Sequence, residues 1–247
     1  MDVAAYLYRV GFRGPVRHDI VSLEALQRSH LTTVPFENLH VFHRRGVRTD
    51  PEWVVSKVVR ERRGGWCYEL NGAFHALLVA LGFDARLLGA TVLLDDPDGR
   101  PQPDHATIEV VLDRPYLVDV GFGDTFIKPL PLDTAEVLDG GSGEFRFIAG
   151  EEVVLQSFDD GVWVDQYRFD RRSRSHADFG PSNEFLQQDG NGWTDKPFAT
   201  RLLDGGPDRV TLLSDKIKFR QNGMWVERPV GAPEWEATLG RWFGMRP

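Results

Sequence analysis

Apolar residues recur at three- and four-residue spacing in the first third of the chain, a period that predicts amphipathic helices. The clearest stripe follows Cys67 and ends at Gly82, a residue type common at helix ends. Its members are Leu70, Ala73, Phe74, Leu77, Leu78 and Leu81. Shorter helices are predicted within residues 2–30, and another starts at Asp50-Pro51 and ends in a basic run. We therefore expect a helical N-terminal region, with Cys67 near the first turn of a buried helix.

The period changes to alternation after Gly82, which predicts β-strands. Strands are expected at 85–94, 105–112, 116–120, 145–149, 152–157 and 161–169. The polar stretch 171–195 is predicted to be one long connection. Further strands at 198–203, 209–213, 216–220 and 224–226 precede a short helix at 234–243. The middle of the chain is thus predicted to form a small barrel or a curled sheet.

The net charge and the cysteine content exclude several classes of protein. A formal net charge of -8 over 247 residues argues against general nucleic-acid binding. The single cysteine excludes an internal disulfide and a cysteine-rich zinc site, and it fits a reducing compartment. The N-terminal residues show no signal-peptide pattern, and no apolar run approaches membrane-spanning length. We expect a cytoplasmic protein without nucleic-acid or membrane partners.

Cys67 is the first candidate for a catalytic residue. Gly64 and Gly65 lead into it, and glycines allow a sharp turn and a close approach to a substrate. At a helix start, unpaired N–H groups and the positive end of the dipole stabilise an anion, so a thiol there ionises more easily. The competing interpretation is that a lone cysteine is a small buried hydrophobic residue. A base and an orienting acid are needed to favour the nucleophile.

His105 and Asp119 are the candidates for that base and acid. His105 begins one predicted strand, and Asp119 lies near the end of the next. Antiparallel strands joined by a turn at 113–115 would bring the start of the first beside the end of the second. Asp119 lies between two valines, and a buried carboxylate needs a partner such as an imidazole N–H. Six other histidines compete for the role of base, and Asp104 and Asp113 are rival acids.

Two other polar features have competing interpretations. Glu37 lies among apolar residues and needs a partner if it is buried, for which Arg63 is the candidate. A solvated Glu37 fits the pattern equally well. His40 and His43 are spaced three residues apart, as metal ligands on a helix can be, but no further ligand lies at a spacing suitable for catalytic zinc. We therefore expect no metal site.

Four segments together strongly resemble the arylamine N-acetyltransferase family, over about residues 5–185. These segments are VPFENL at 34–39, RGGWCYELN at 63–71, His105, and VDVGFG at 118–123. The resemblance implies an α+β, cysteine-protease-like fold. Its parts would be an N-terminal helical bundle over 1–84, a central β-barrel over 85–182 and a C-terminal α/β lid over 183–247. It also implies a catalytic triad of Cys67, His105 and Asp119, and a structural pair of Glu37 with Arg63.

The reaction that the resemblance implies is a ping-pong acyl transfer. Cys67 attacks a thioester donor, acetyl-CoA in the family, and an arylamine or hydrazine then attacks the acyl-cysteine with His105 as general base. Backbone N–H groups at Cys67 and near Pro103-Asp104 are the candidates for binding the oxyanion. No permanently bound cofactor is expected.

Further residues are assigned to the two substrates. Phe36 and Phe122 match positions that line the acceptor pocket of the family, and we expect Trp66 and Gly123 to contact the acceptor as well. The residues expected to contact the coenzyme are Pro103, Gly121 and Gln188.

The chain departs from the family after residue 187. The segment 183–187 looks like the lead-in to the coenzyme-binding stretch, which in the family continues with a Ser/Thr pair, a proline, a serine and a phenylalanine. This chain has QDGNGW at 188–193 instead, and Asp189 would repel coenzyme phosphates.

That departure favours a rival activity, that of the amide synthases of ansamycin-type polyketide pathways. These enzymes resemble the same family and use the same triad. Those enzymes take a long acyl chain from an acyl carrier protein and close it onto an aryl amine as a macrolactam. A hydrolase and a non-catalytic binding module are the remaining alternatives. The acetyltransferase is the first hypothesis and the amide synthase the second.

Overall fold

The structure is a computed structural model that describes residues 1–94, 97–204, 206–221 and 223–246. Positions 95 and 96, and positions 205, 222 and 247 of the predicted lid, lie outside the described residues. The helices are α1 (Val3–Arg9), α2 (Ile20–Thr33), α3 (Leu39–Phe42), α4 (Pro51–Val59), α5 (Cys67–Ala80), α6 (Gly180–Leu186) and α7 (Ala232–Phe243). Among the described residues, no helix is both long and apolar enough to cross a bilayer.

Apart from the short β1, the strands fall in the middle and at the end of the chain. They are β1 (Phe36–Glu37), β2 (Asp84–Val92), β3 (His105–Val111), β4 (Pro115–Val118), β5 (Leu130–Pro131), β6 (Leu138–Asp139), β7 (Glu144–Ile148), β8 (Val153–Asp159), β9 (Val162–Arg174), β10 (Ala199–Leu202), β11 (Arg209–Leu212), β12 (Lys216–Gln221) and β13 (Met224–Pro229). Together with the helices, they confirm the predicted α+β class.

Aspartates start three of the N-terminal helices. The carboxylates of Asp2, Asp19 and Asp50 each accept a hydrogen bond from the backbone N–H three residues later. This satisfies an N–H group that has no partner within the helix. α5 is the central helix of the bundle, because its side chains join a single core with residues from α1, α2, α4 and strands β2 to β4.

Two antiparallel sheets complete the fold. The larger, barrel-like sheet has the strand order β5-β4-β3-β2-β9-β8-β7-β6. The second has the order β1-β10-β11-β12-β13, with α7 packed against β11 through a separate core. Because β1 comes from the N-terminal third, the C-terminal sheet reaches back to a strand that lies beside the α5 entry loop, where Phe36 bridges Gly65.

The prediction of one long connection over 171–195 is wrong. β9 continues to Arg174, a 3₁₀ turn follows at His176–Phe179, and α6 comes next. The end of β9 has exposed, charged side chains, but its backbone still pairs with β2. Such a strand carries no apolar alternation, so the hydrophobic pattern could not show it.

Candidate active site

Cys67 is the first residue of α5 and is nearly buried, with 9% of its surface exposed. The turn before it is fixed by Glu69, whose Oε2 accepts the N–H of Trp66 at 3.1 Å. Glu69 is in turn paired with Lys57 of α4, and both side chains are fully buried. The N–H of Cys67 has no acceptor within the helix, since it belongs to the first turn. The predicted position of Cys67 is therefore confirmed.

The loop that enters α5 requires glycine. A Cβ on Gly64 would lie 2.1 Å from the carbonyl oxygen of Pro35, and one on Gly65 would lie 2.4 Å from the Glu69 carboxylate. The loop runs beside β1, because the N–H of Glu37 donates to the carbonyl of Gly65 at 2.9 Å. The two glycines thus allow the nucleophile loop to pack directly against β1.

Glu37 is buried beside this loop, so the interpretation of a solvated side chain is wrong. Its Oε1 lies 3.2 Å from a guanidinium nitrogen of Arg63, and its Oε2 accepts the N–H of Leu39. Burial would raise the pKa of Glu37, but the charges of Lys57 and Arg63 outweigh it and lower the pKa. The expected Glu37–Arg63 pair is therefore present.

The β3–β4 hairpin brings His105 and Asp119 together. Ile108 pairs with Val118 across the hairpin, so the start of β3 faces the residues just after β4. The Nε2 atom of His105 lies 2.7 Å from Oδ2 of Asp119, and both side chains are buried. The other ring nitrogen, Nδ1, is not used by Asp119, and His105 lines the same cavity as Cys67, whose side chain is near enough to raise the pKa of the imidazole.

Asp119 is surrounded by donors. Besides His105, its carboxylate accepts hydrogen bonds from the Asn71 amide at 2.8 Å, the Gly121 N–H at 2.8 Å and the Tyr167 hydroxyl at 3.2 Å. Burial alone would raise the pKa of Asp119, but His105, the Asn71 amide and the Gly121 N–H lower it. Asp119 is therefore held as an anion in the protein interior.

The charge of Asp119 determines the protonation of His105. Burial would lower the pKa of the imidazole, but Asp119 and Cys67 outweigh it and raise the pKa to about 10. His105 is thus an imidazolium at neutral pH. An imidazolium in contact with a thiol favours the ionised form of the sulfur, which is the nucleophilic form.

A small cavity of about 150 Å³ opens beside Cys67 and His105. It is lined by Phe36, Trp66, Cys67, Tyr68, Val92, Leu94, Asp104, His105, Gly121, Phe122, Leu186 and Trp193. Four residues assigned from the sequence to substrates are among them, namely Phe36, Trp66, Gly121 and Phe122. The lining is mainly aromatic and aliphatic, so the cavity suits an uncharged ring or a short acyl group.

The other three assigned residues do not line the cavity. Gly123 lies behind Phe36, whose ring is 3.3 Å from the position of a Cβ on this glycine. Pro103 precedes Asp104 but does not line the cavity, and Gln188 is exposed on the surface. Their roles toward the substrates remain predictions.

Trp193 is the main residue of the cavity that sequence reasoning missed. The centroid of its ring lies 5.8 Å from that of Trp66 and 6.0 Å from that of Phe36, and both pairs pack edge to face. The loop that carries it is held by Asn38, whose amide donates to the carbonyls of Trp193 and Lys196 at 2.8 Å each. An isolated aromatic residue within the polar stretch 188–195 was the only signal that could have revealed it.

Two further expectations change with the structure. Pro103 has no N–H, and the N–H of Asp104 donates to the carbonyl of Ala90 at 3.1 Å. Neither Pro103 nor Asp104 can therefore supply an oxyanion donor, and the N–H of Cys67 is the candidate that we keep. Asp189 is exposed and forms an ion pair with Arg44, which offsets part of the repulsion expected for a coenzyme phosphate.

The described residues contain no group of three histidine, cysteine or carboxylate side chains that could hold a metal ion. The ring of His40 packs edge to face against Trp53, and burial lowers the pKa of His40 to about 4. His43 packs against Phe42 in the same way. Both histidines thus have aromatic neighbours.

Comparison with known proteins gives one consistent family. Residues 19–246 match a family described as N-acetyltransferase. The arylamine N-acetyltransferase of Escherichia coli K12 is 33% identical over 232 residues, which cover 90% of this chain and 80% of that protein. That of Mycolicibacterium smegmatis is 34% identical over 186 residues, covering 72% of this chain and 68% of that protein.

Solved structures agree with the sequence comparison. The Salmonella typhimurium arylamine N-acetyltransferase superposes with a TM-score of 0.92 at 28% identity, covering 98% of this chain and 90% of that one. The Mycobacterium marinum arylamine N-acetyltransferase in complex with CoA superposes with a TM-score of 0.90 at 28% identity, covering 99% and 93%.

Proposed function

Because this chain belongs to the arylamine N-acetyltransferases, a family of acetyl-transferring enzymes, we propose that it acetylates an arylamine or hydrazine through an acyl thioester on Cys67. Acetyl-CoA is the proposed donor, as the relative in complex with CoA suggests. The observation that carries the proposal is the chain of contacts from Cys67 to His105 to Asp119 beside an apolar cavity. We place the enzyme in the cytoplasm, where a free thiol stays reduced.

In the first half-reaction, the Cys67 thiolate attacks the thioester carbonyl of acetyl-CoA. The oxyanion of the tetrahedral intermediate accepts a hydrogen bond from the N–H of Cys67, at the positive end of the α5 dipole. The C–S bond to coenzyme A then breaks, and the leaving sulfur takes a proton from the His105 imidazolium. The products are acetyl-Cys67, a neutral imidazole and the free coenzyme thiol.

In the second half-reaction, the amine nitrogen attacks the acetyl-Cys67 carbonyl. His105 removes a proton from that nitrogen, and the Cys67 thiolate leaves, so that the imidazolium–thiolate pair is restored. Asp119 keeps its charge throughout and stabilises the imidazolium that forms. Phe36, Trp66 and Trp193 provide the flat surfaces against which an aromatic acceptor can lie.

The cavity size bears on the rival amide synthase. Ligand pockets commonly measure about 300–1,000 Å³, whereas this cavity measures about 150 Å³. It therefore suits an acetyl group and a single ring better than a long polyketide chain with a carrier protein behind it. The observation that favours the amide synthase is the exposed Asp189, although this carboxylate is paired with Arg44.

Intact-mass spectrometry tests the donor directly. The protein is mixed with acetyl-CoA, or with the N-acetylcysteamine thioester of a long acyl chain, and Cys67→Ala is the control. We expect rapid formation of an acetyl adduct in the wild type, none in the variant, and slow or no transfer of the long chain. A folded protein with a free thiol that takes only the long chain would replace the acetyltransferase with the amide synthase.

A further inference from the structure

We propose that Ser182 of α6 is a positioning residue that links this helix to the alignment of Cys67 and His105. The inference rests on the proposed function, because the residues it aligns are the proposed nucleophile and base. Ser182 is buried, with 1% of its surface exposed. It lies 115 positions after Cys67 in the sequence, in a segment where the sequence pattern shows no chemistry.

The hydroxyl of Ser182 joins the two segments that carry these groups. It donates to the carbonyl of Pro103 at 2.6 Å and lies 3.0 Å from the hydroxyl of Tyr68. The Tyr68 hydroxyl in turn donates to the carbonyl of Asp104 at 2.8 Å. Tyr68 directly follows the nucleophile, and Asp104 directly precedes the base.

These bonds lie next to the reacting sulfur. The Sγ atom of Cys67 is 3.9 Å from the same Asp104 carbonyl that Tyr68 binds. Burial raises the pKa of Tyr68 well above its usual range, so its hydroxyl keeps its proton and remains a donor. Ser182 donates its one proton to Pro103, and Tyr68 shares its one proton between the Asp104 carbonyl and the Ser182 oxygen, so the two hydroxyls are linked through the proton of Tyr68.

A second connection holds the same two elements together from another point. The amide of Asn71 on α5 donates to the carbonyl of Ala106 on β3 as well as to Asp119. The bond between Asn71 and Ala106 lies one helical turn after Cys67 on α5 and one residue after His105 on β3. Ser182 and Asn71 thus hold the nucleophile and base segments from both sides, and only Ser182 comes from the C-terminal part of the chain.

The position of Ser182 connects this unit to the cavity. α6 ends at Leu186, and the following loop carries Trp193; both line the cavity. A substrate that presses on these two side chains also pushes on the helix that holds Pro103 and Tyr68. We therefore expect cavity filling and nucleophile–base alignment to be coupled through Ser182.

The test uses the full-length variants Ser182→Ala, Tyr68→Phe and the double variant. Thr200→Val, which removes a buried hydroxyl of β10 that bonds to β11, is the control. The measurements are the acylation rate with acetyl-CoA, the pH dependence of Cys67 alkylation by iodoacetamide, and the melting temperature.

We expect Ser182→Ala to slow acylation and alkylation at pH 6 about tenfold, the effect of losing one well-made hydrogen bond at the site. The KM for acetyl-CoA should stay within about twofold, since Ser182 does not line the cavity. Because both hydroxyls belong to one unit, the double variant should lose little more than the larger single effect. Ser182→Thr, which keeps the hydroxyl, should recover most of the rate.

A lower melting temperature with unchanged acylation and an unchanged alkylation profile would overturn the proposal, because it would show a structural role only. Strictly additive effects of the two hydroxyls would also overturn it. The alkylation profile needs no acyl donor, so it is independent of the donor assignment. A shifted profile in a protein that does not accept acetyl-CoA would support Ser182 while refuting the proposed donor.

Discussion

The buried ion pair behind the nucleophile loop offers the most direct test of how this site is held. Lys57 and Glu69 are each about 1% exposed, and Glu69 also fixes the first turn of α5 through the N–H of Trp66. Replacing Lys57 by Met keeps most of the side-chain stem but removes its charge. Glu69 is then left in the interior with one neutral donor and the carboxylate of Glu37 nearby.

The expected loss can be estimated from the charges. Even with Lys57 present, burial raises the pKa of Glu69 to about 7. A group with a raised pKa in the folded state contributes most below its unfolded value, 4.5 here, and this contribution is lost as the pH rises through about 7. Without Lys57, the unpaired carboxylate should lower the free energy of unfolding by about 3–5 kcal/mol at pH 8. At pH 5 the carboxyl is protonated, so the loss should be clearly smaller.

The assay is urea unfolding followed by tryptophan fluorescence at pH 5 and pH 8. The double variant Lys57→Met/Glu69→Gln carries no charge and keeps an oxygen for the N–H of Trp66, so it should lie within about 1 kcal/mol of the wild type. Lys216→Met, in an exposed pair with Glu227, is the control and should leave the midpoint almost unchanged. If the single and the double variant lose the same free energy of unfolding at both pH values, packing of the Lys57 stem explains the loss and the charge argument fails.

Three other changes test the candidate active site. Asp119→Asn should slow alkylation of the active-site thiol at pH 6 by about 10- to 100-fold, because it removes the charge that raises the pKa of His105 to about 10; an unchanged pH profile would contradict this. Gly121→Ala places a Cβ 2.8 Å from the backbone of the nucleophile and should cost about 1–3 kcal/mol in urea unfolding, whereas Gly180→Ala meets open space and should cost little. Trp193→Ala should enlarge the cavity and raise kcat/KM for longer acyl thioesters relative to acetyl-CoA, and an unchanged ratio would show that this ring does not limit acyl length.

The groups that carry the proposed chemistry could be predicted because each leaves a local signal. Cys67 follows two glycines and begins an apolar stripe, which fixes its place at a helix start. His105 and Asp119 flank one hairpin, and antiparallel pairing alone brings them together. In the first case the position is set by the neighbouring residues, and in the second by a single hairpin.

The residues that complete the site leave no such signal. Trp193 and Ser182 lie in segments without apolar periodicity, and their neighbours come from the first half of the chain. Which ring reaches the cavity depends on how β1 pairs with β10 and how Asn38 holds the loop between Trp193 and β10. Long-range pairing of this kind is not written in the local pattern, so the cavity wall could not be predicted.

Asp119 and Glu69 show the same limit in electrostatic terms. Both carboxylates are fully buried in the described structure, yet the pKa of Asp119 is lowered and that of Glu69 is raised to about 7. Burial acts in the same direction on both, so the difference comes from their partners. Asp119 accepts hydrogen bonds from an imidazolium, an amide, a backbone N–H and a phenol, whereas Glu69 has one cation, one backbone N–H and another carboxylate nearby. Two of the donors to Asp119 lie 48 positions away in the sequence, in opposite directions. The fold, rather than the residue type or its neighbours in sequence, therefore decides which buried acid stays charged while His105 gains and loses its proton.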